Sequence, residues 1–266
     1  MLIDWQQRKT WLHTVNPSLK ICLTLLLYLY ILFIHNVNIL MNLAVLSLLS
    51  FYLLTGLSFK YNSILFIPCL FIFLSTGSSM ILFGQGDTTW FKWGLIHITE
   101  ESFYRGIHVG FRAITFAMLG FLFTLTTKPV DLFYSLMQQM KLSPKFAYSF
   151  MAVFRLLPIL IDEFQTLRFA LKVRGIESKK GIKAIIYKTK LYAIPLLAQS
   201  IRKAHRIAVA MEAKQFSAVK ERTYYYQYSF STRDGLFFLS IIACLLLAVW
   251  AAKIYPYVSI SDVRQF

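Results

Sequence analysis

Acidic residues are scarce in this chain, and they are missing where it is most apolar. Only 12 of its 266 residues are Asp or Glu, against 28 Lys and Arg, so the net charge is +16. None of the five long apolar runs, Lys20–Ile34, Val37–Thr55, Ile64–Phe83, Ile107–Leu125 and Leu236–Tyr255, contains a carboxylate. Ion-coupled carriers keep an ionisable group in the membrane to hold a proton or cation, so a stand-alone secondary transporter is disfavoured. Cysteine is as sparse. Cys22, Cys69 and Cys244 lie inside apolar runs with no Cys-x-x-Cys spacing, which offers neither a disulfide framework nor a zinc site. The five histidines, His13, His35, His97, His108 and His205, include no i, i+4 pair for a metal. The nearest approach to a phosphate-binding loop, Gly175-Ile-Glu-Ser-Lys-Lys-Gly181, lacks the Gly-Lys-Ser/Thr ending that holds nucleotide and magnesium. No Ser-His-Asp set or paired carboxylates are recognisable. The sequence therefore offers no catalytic candidate, no metal site and no cofactor bound by the chain itself.

What the chain has is apolar surface. Hydrophobic residues make up 57%, with 24 Phe and 15 Tyr, and only 15% are charged. A soluble domain of this size could not cover so much apolar material, whereas a bilayer core takes about 20 apolar residues per helix. The expected fold is all-α: a polytopic helical membrane protein with about five transmembrane helices and a cytoplasmic helical region. Met1 to Lys20 is polar and aromatic, unlike a cleaved signal peptide. Arg8, Lys9 and Lys20 precede the first run and Lys60 follows the second, while the loop after the third carries Asp87, Glu100 and Glu101. The positive-inside rule then puts the N-terminus in the cytoplasm and that loop and the C-terminus outside, with Trp90, Trp93, Tyr104, Trp250 and Tyr255 near outer boundaries.

Positive charge concentrates in one segment. Lys128–Asp234 holds 19 of the 28 basic residues and 7 of the 12 acidic ones. In a membrane protein such an excess marks the cytoplasmic face and anionic headgroups rather than nucleic acid. The organisation expected is a membrane domain over 1–127, cytoplasmic helices over 128–235 and a last transmembrane helix over 236–266. Within the basic segment, Pro129–Met140 reads as a short helix stopped by Ser143-Pro144. Phe146, Phe150, Val153, Leu157, Leu160, Phe164, Leu167 and Leu171 then form a helical stripe, with Pro158 inside it as a source of a kink. A second stripe runs Ile194, Leu197, Ile201, Ala204, Ala208 and Met211, starting near Pro195. Inside the fourth run, Gly106, Gly110, Ala113, Ala117 and Gly120 make a small-residue stripe for close helix packing, more readily against the chain's own spans than a partner. Arg112 beside it is a full charge within a span, expected to face protein or snorkel outward.

Three stretches in order carry a resemblance. They are Trp11-Leu12-His13 with Asn16-Pro17-Ser18-Leu19-Lys20; Thr126-Thr127-Lys128-Pro129 through Leu142-Ser143-Pro144 to Phe154-Arg155-Leu156-Leu157-Pro158 and Glu163; and Val173-Arg174-Gly175 paired with Ala210-Met211-Glu212-Ala213-Lys214-Gln215-Phe216. Over nearly the whole chain these resemble the transmembrane T component of energy-coupling-factor transporters. In that family two Ala-Arg-Gly-type motifs end two long cytoplasmic coupling helices, each docking on one of two ATP-binding-cassette subunits. The resemblance implies docking by Val173, Arg174 and Gly175 and by Ala213, Lys214 and Gln215, with Arg155, Pro158, Glu163 and Glu212 supporting the helices. It also implies ATP and magnesium on the partner ATPases, a small membrane-embedded substrate-binding subunit as a further partner, and residence in a prokaryotic plasma membrane. The cargo implied is a vitamin, a vitamin precursor or a transition metal, with Arg222-Thr223 and Arg233-Asp234 leaning towards a thiamine precursor.

The second motif departs from the pattern. Lys214 keeps the charge but loses the planar fork of Arg, and Gln215 lacks the easy left-handed geometry of Gly175. The two docking points are therefore expected to be unequal. Two other classes compete: a membrane enzyme acting on lipid, which would need metal ligands or a nucleophile near the interface, and a permease half of an ordinary ATP-binding-cassette transporter, which typically carries one coupling helix.

Overall fold

The computed structural model describes residues 8–84, 86, 88–93, 96–175, 181–216 and 223–258. Asp87, residues 176–180 and Arg222 lie outside the described residues, as does the side chain of Trp93. Internal packing divides the chain into one unit of Met1–Met140 with Tyr228–Phe266 and a second of Lys141–Gln227.

The first unit begins with a 3-10 turn, Trp11–Thr14, and the helices α1 (Pro17–Phe33), α2 (Val37–Leu54) and α3 (Phe59–Phe83). A short antiparallel pair follows, β1 (Thr89–Trp93) and β2 (Ile96–Thr99), then α4 (Glu100–Thr126), α5 (Pro129–Gln139) and, after the second unit, α8 (Thr232–Ile254). Local chemistry sets most starts. Pro17 and Pro129 occupy first turns, where the missing N–H costs nothing. Asn36 Oδ1 accepts the amides of Asn38 and Ile39 to open α2. Thr99 and Ser102 form a reciprocal capping box at the head of α4.

The all-α expectation holds, with the β1–β2 hairpin as a small addition that the sequence reading did not foresee. Five helices are long and apolar enough to cross a membrane: α2, α3, α4, α8 and α6 (Pro144–Val173) of the second unit. The number matches the expectation but the set differs. Helix α1 has 17 residues, about 25 Å of helix, and falls short of a full span. Helix α6 qualifies because its Lys, Arg, Asp and Glu are spaced far enough apart to leave an apolar stretch among them.

The spans pack through small residues. Helix α4 lies on α3 with Gly106 against Gly77 and Ile81, and Gly110 against the ring of Phe73. Ala117 packs beside the buried cluster of Phe51, Cys69 and Met118. A second cluster, Ile31, Ile34, Leu40, Leu43 and Ala248, joins α1, α2 and α8. Among the described residues Gly106 has no room for a methyl group, since a Cβ would stand 2.4 Å from Ile81 Cγ1 and 2.8 Å from the Gly77 carbonyl oxygen.

Arg112 and His108, one turn apart on α4, both reach the carbonyl of Ile34 at the end of α1, Arg112 Nη2 at 2.8 Å and His108 Nε2 at 3.2 Å. A cation at a helix C-terminus is favourable, which accounts for a full charge at this depth. Because α1 is short, its polar end sits beside the middle of α4.

Overpacking a full interface costs about 1–3 kcal/mol. Gly106→Ala should therefore lower the detergent-solubilised melting temperature, whereas Gly235→Ala, where a Cβ meets nothing within 4 Å, should leave it unchanged or raise it. Equal melting of the two variants would contradict this packing.

Candidate functional site

The second unit consists of two long helices, α6 (Pro144–Val173) and α7 (Ile182–Ala213). Both run unbroken past an internal proline, Pro158 in α6 and Pro195 in α7, so α7 begins a dozen residues before the apolar stripe that announced it. The helices are antiparallel. Tyr148 near the start of α6 stacks edge-on against Phe216 just past the end of α7, with ring centroids 5.2 Å apart. Phe164 meets Tyr192 at 5.4 Å. Between these contacts, Glu163 of α6 accepts from Gln199 Nε2 at 3.2 Å and pairs with Lys203. Arg202 braces Gln199 from the next turn, donating through Nη2 at 2.7 Å.

The six expected docking residues fall at the two helix ends, and all are exposed, Val173 at 88%. Their backbones are alike. In α6 the amide of Gly175 returns to the Lys172 carbonyl at 3.0 Å, with Gly175 at φ 74°. In α7 the amide of Gln215 returns to the Glu212 carbonyl at 2.8 Å and that of Phe216 to Met211 at 3.0 Å, with Gln215 at φ 54°. The α7 end thus completes the left-handed Schellman cap. Gln215 takes up the conformation that glycine supplies freely at the other end, contrary to the expectation from its side chain. The packing of Phe216 on Tyr148 and the paired cap bonds hold it there. Among the described residues the two ends differ in Val173 against Ala213, in Arg174 against Lys214 and in the strain of a side chain at positive φ.

Each end lies eleven residues beyond the Glu163–Lys203 contact, about 16 Å of helix, and in opposite directions, so the two cations are on the order of 30 Å apart. Of the supporting residues, only Glu163 is brought into contact with the facing helix by its side chain. Arg155 and Pro158 lie on exposed positions of α6, and Glu212 contributes its carbonyl to the α7 cap. Apolar residues of both stripes remain open: Phe146, Val153 and Leu157 on α6, and Ile194, Leu197 and Ile201 on α7, are 52–68% exposed. Among the described residues no cluster of His, Cys, Asp or Glu could hold a metal ion.

Sequence reasoning named Asn16, Ser18 and Asp234 but neither Ser135 and Gln139 nor the contacts by which these residues fix α5. Asn16, Ser18, Ser135, Gln139 and Asp234 form one buried polar knot in the first unit. Asp234 Oδ1 accepts the Asn16 amide at 2.8 Å, Asn16 Oδ1 accepts from Ser135 Oγ at 2.6 Å, and Ser18 Oγ donates to Gln139 Oε1. Gln139 Nε2 reaches the Tyr228 carbonyl at 3.2 Å, and the Tyr228 amide donates to Gln138 Oε1 at 2.8 Å. Asp234 is thereby a buried structural acid. Nearby, burial and then the charge of Lys20 hold the His13 imidazole below its ordinary pKa, and its Nδ1 accepts the Thr10 amide at 3.2 Å.

Residues 8–225 match the family described as cobalt transport protein, CbiQ. The chain belongs to that family. It is 29% identical over 252 residues to the energy-coupling factor transporter transmembrane protein EcfT of Streptococcus equi subsp. equi (strain 4047), covering 90% of each chain. It is 27% identical to the proteins of that name from Macrococcus caseolyticus (strain JCSC5402) and Lactococcus lactis subsp. cremoris (strain MG1363), covering 91% of this chain and 94% of each relative. The resemblance to transmembrane T components thus holds along nearly the whole chain, and with five apolar helices it makes this a multi-pass membrane protein of a transport family.

A left-handed backbone costs a non-glycine residue about 1 kcal/mol. Gln215→Gly should therefore steady the α7 end, slowing hydrogen exchange of the Lys214–Phe216 amides roughly fivefold. Unchanged or faster exchange would show that Gln215 is not strained.

Proposed function

We propose that this chain is the transmembrane coupling subunit of an energy-coupling-factor importer. In this reading it passes ATP-driven movement of two ATPase subunits to a separate substrate-binding membrane subunit. The observation that carries it is the pair of exposed cationic helix ends, alike in backbone and pointing in opposite directions along one antiparallel pair. Two points on the order of 30 Å apart on rigid helices suit two separate ATPase subunits better than one. Arg174 presents a planar fork for carboxylates or carbonyls, and Lys214 presents a single ammonium. When the ATPases close on ATP and magnesium, which they hold themselves, both ends are drawn with them and the helices act as levers.

The chain itself is non-catalytic in this reading. It resides in a prokaryotic plasma membrane, with its N-terminus and the α6–α7 pair on the cytoplasmic side, where the basic residues concentrate. Helix α6 has the length and apolar content of a span, but its Lys145, Arg155, Asp162, Glu163, Arg168 and Lys172 favour that side in this reading. The open apolar stripes of α6 and α7 suit a very hydrophobic partner such as the substrate-binding subunit. The cargo falls to that partner, as a vitamin, a vitamin precursor or a transition metal ion.

A charge-assisted hydrogen bond contributes about 2 kcal/mol. Arg174→Ala should weaken binding of the ATPase subunits in detergent pull-downs roughly thirtyfold, with transport falling in step, and Lys214→Ala should weaken it less. Equal binding by wild type and Arg174→Ala would sink the docking role.

A further inference from the structure

Within the first unit, α1, α2, α4 and α8 enclose a cavity of about 170 Å³ that the transport reading does not use. Its walls are apolar, with Leu27, Leu46, Leu119 and Leu245 contributed by the four helices in turn. Five hydroxyls also line it, yet each has its proton committed to a backbone carbonyl. Ser47, Ser50, Thr115 and Ser240 donate to carbonyls of their own helices at 2.6–2.8 Å, and Thr24 does the same to Lys20. A cavity whose polar groups are all turned back on their own backbone suits hydrocarbon. An apolar cavity of about 150 Å³ stays dry and accepts a benzene-sized molecule, so this one holds roughly six carbons of a chain.

The end of the cavity points to what the hydrocarbon belongs to. Trp11 and Phe237 line it there, their rings 6.3 Å apart and edge-on, with Trp11 39% exposed. An indole at such a border sits where headgroups meet acyl chains. Arg8 and Lys9, both exposed, lie three and two residues before it, and the Arg8 amide is pinned to the Gly56 carbonyl at 2.9 Å. Exposed Arg233 lies one turn before Phe237. The adjacent acid, Asp234, is buried with its two oxygens taken by the amides of Asn16 and Ser231. Three exposed cations therefore lie within four residues of the Trp11–Phe237 ring pair that ends the cavity, and the described carboxylate next to them in sequence, Asp234, is buried.

We infer that this cavity is a binding site for an anionic phospholipid, with the upper part of one acyl chain between α1 and α8 and the headgroup on Arg8, Lys9 and Arg233. The site is independent of the ATPase contacts and of the cargo.

The test uses the full chain in phosphatidylcholine vesicles doped with phosphatidylglycerol, or with phosphatidylcholine, carrying a diazirine high on one acyl chain. After irradiation, labelled residues are mapped by mass spectrometry. The expected labels fall on Thr24, Ser240 and Cys244, with phosphatidylglycerol favoured roughly tenfold, since each surface cation contributes to the attraction of anionic lipid. The triple variant Arg8→Gln, Lys9→Gln, Arg233→Gln should lose the preference. Ser240→Leu, or Thr24→Leu should the first fail to fold, should abolish cavity labels while those on outward Leu247 persist. Labels confined to outward residues, equal labelling by the two lipids, or cavity labels that survive filling would overturn the inference.

Discussion

The contact between Asp234 and the Asn16 amide, 218 residues apart in sequence, is the constraint from which much of the first unit follows. Both groups are buried, so each needs the other: an unpartnered amide or carboxylate there would carry a full desolvation penalty. Through Asn16 Oδ1 the same knot holds Ser135, and through Ser18 it holds Gln139, which fixes α5 against the starts of α1 and α8. Lys20, also buried, anchors the end of α4 by donating to the Thr126 carbonyl at 3.1 Å. Helix α5 is the last element before Lys141, where the chain turns at φ 55° and enters the α6–α7 pair. The position of α5 within the first unit thus rests on these buried side chains.

At the other end of the spans the problem is length. Helix α1 stops too early to cross a bilayer alone, and its final carbonyls would be stranded in hydrocarbon without a partner. His108 and Arg112 of α4 supply one at Ile34. The close approach of α4 to α3 through Gly77, Gly106 and Gly110 is the packing counterpart of this polar repair. Asn38 contributes a further tie, exchanging two hydrogen bonds with the backbone of Val258 beyond α8 at 2.9 and 3.0 Å.

Features governed by neighbours in sequence were legible in advance. The short helix α5 ends within a residue of its expected limit because Pro129 and Ser143-Pro144 mark it locally. The spans were recognised, but α3 and α4 begin five and seven residues before the apolar runs do. Hydropathy reports where a chain turns apolar, whereas local features such as the Thr99 capping box decide where it turns helical. The sequence reading also took Gln215 as a poor left-handed residue. It could not register that Phe216 would find Tyr148 across the helix pair and hold that shape. The structural partner of Asp234 stays hidden for the same reason, since it lies on a distant element. Long-range polar pairing is what one sequence withholds.

The α6–α7 pair joins these themes, since one half-buried contact, Glu163 with Lys203 and Gln199, sits between the two ends that the proposed coupling would move. Pulsed electron–electron spin resonance on the assembled transporter addresses this most directly. Nitroxides would be placed at exposed positions 172 and 212 after Cys22, Cys69 and Cys244 are replaced by Ser. The account predicts a separation on the order of 30 Å without nucleotide and a shifted distribution when the ATPases bind ATP. Identical distributions in the two states, or ends lying side by side, would contradict it.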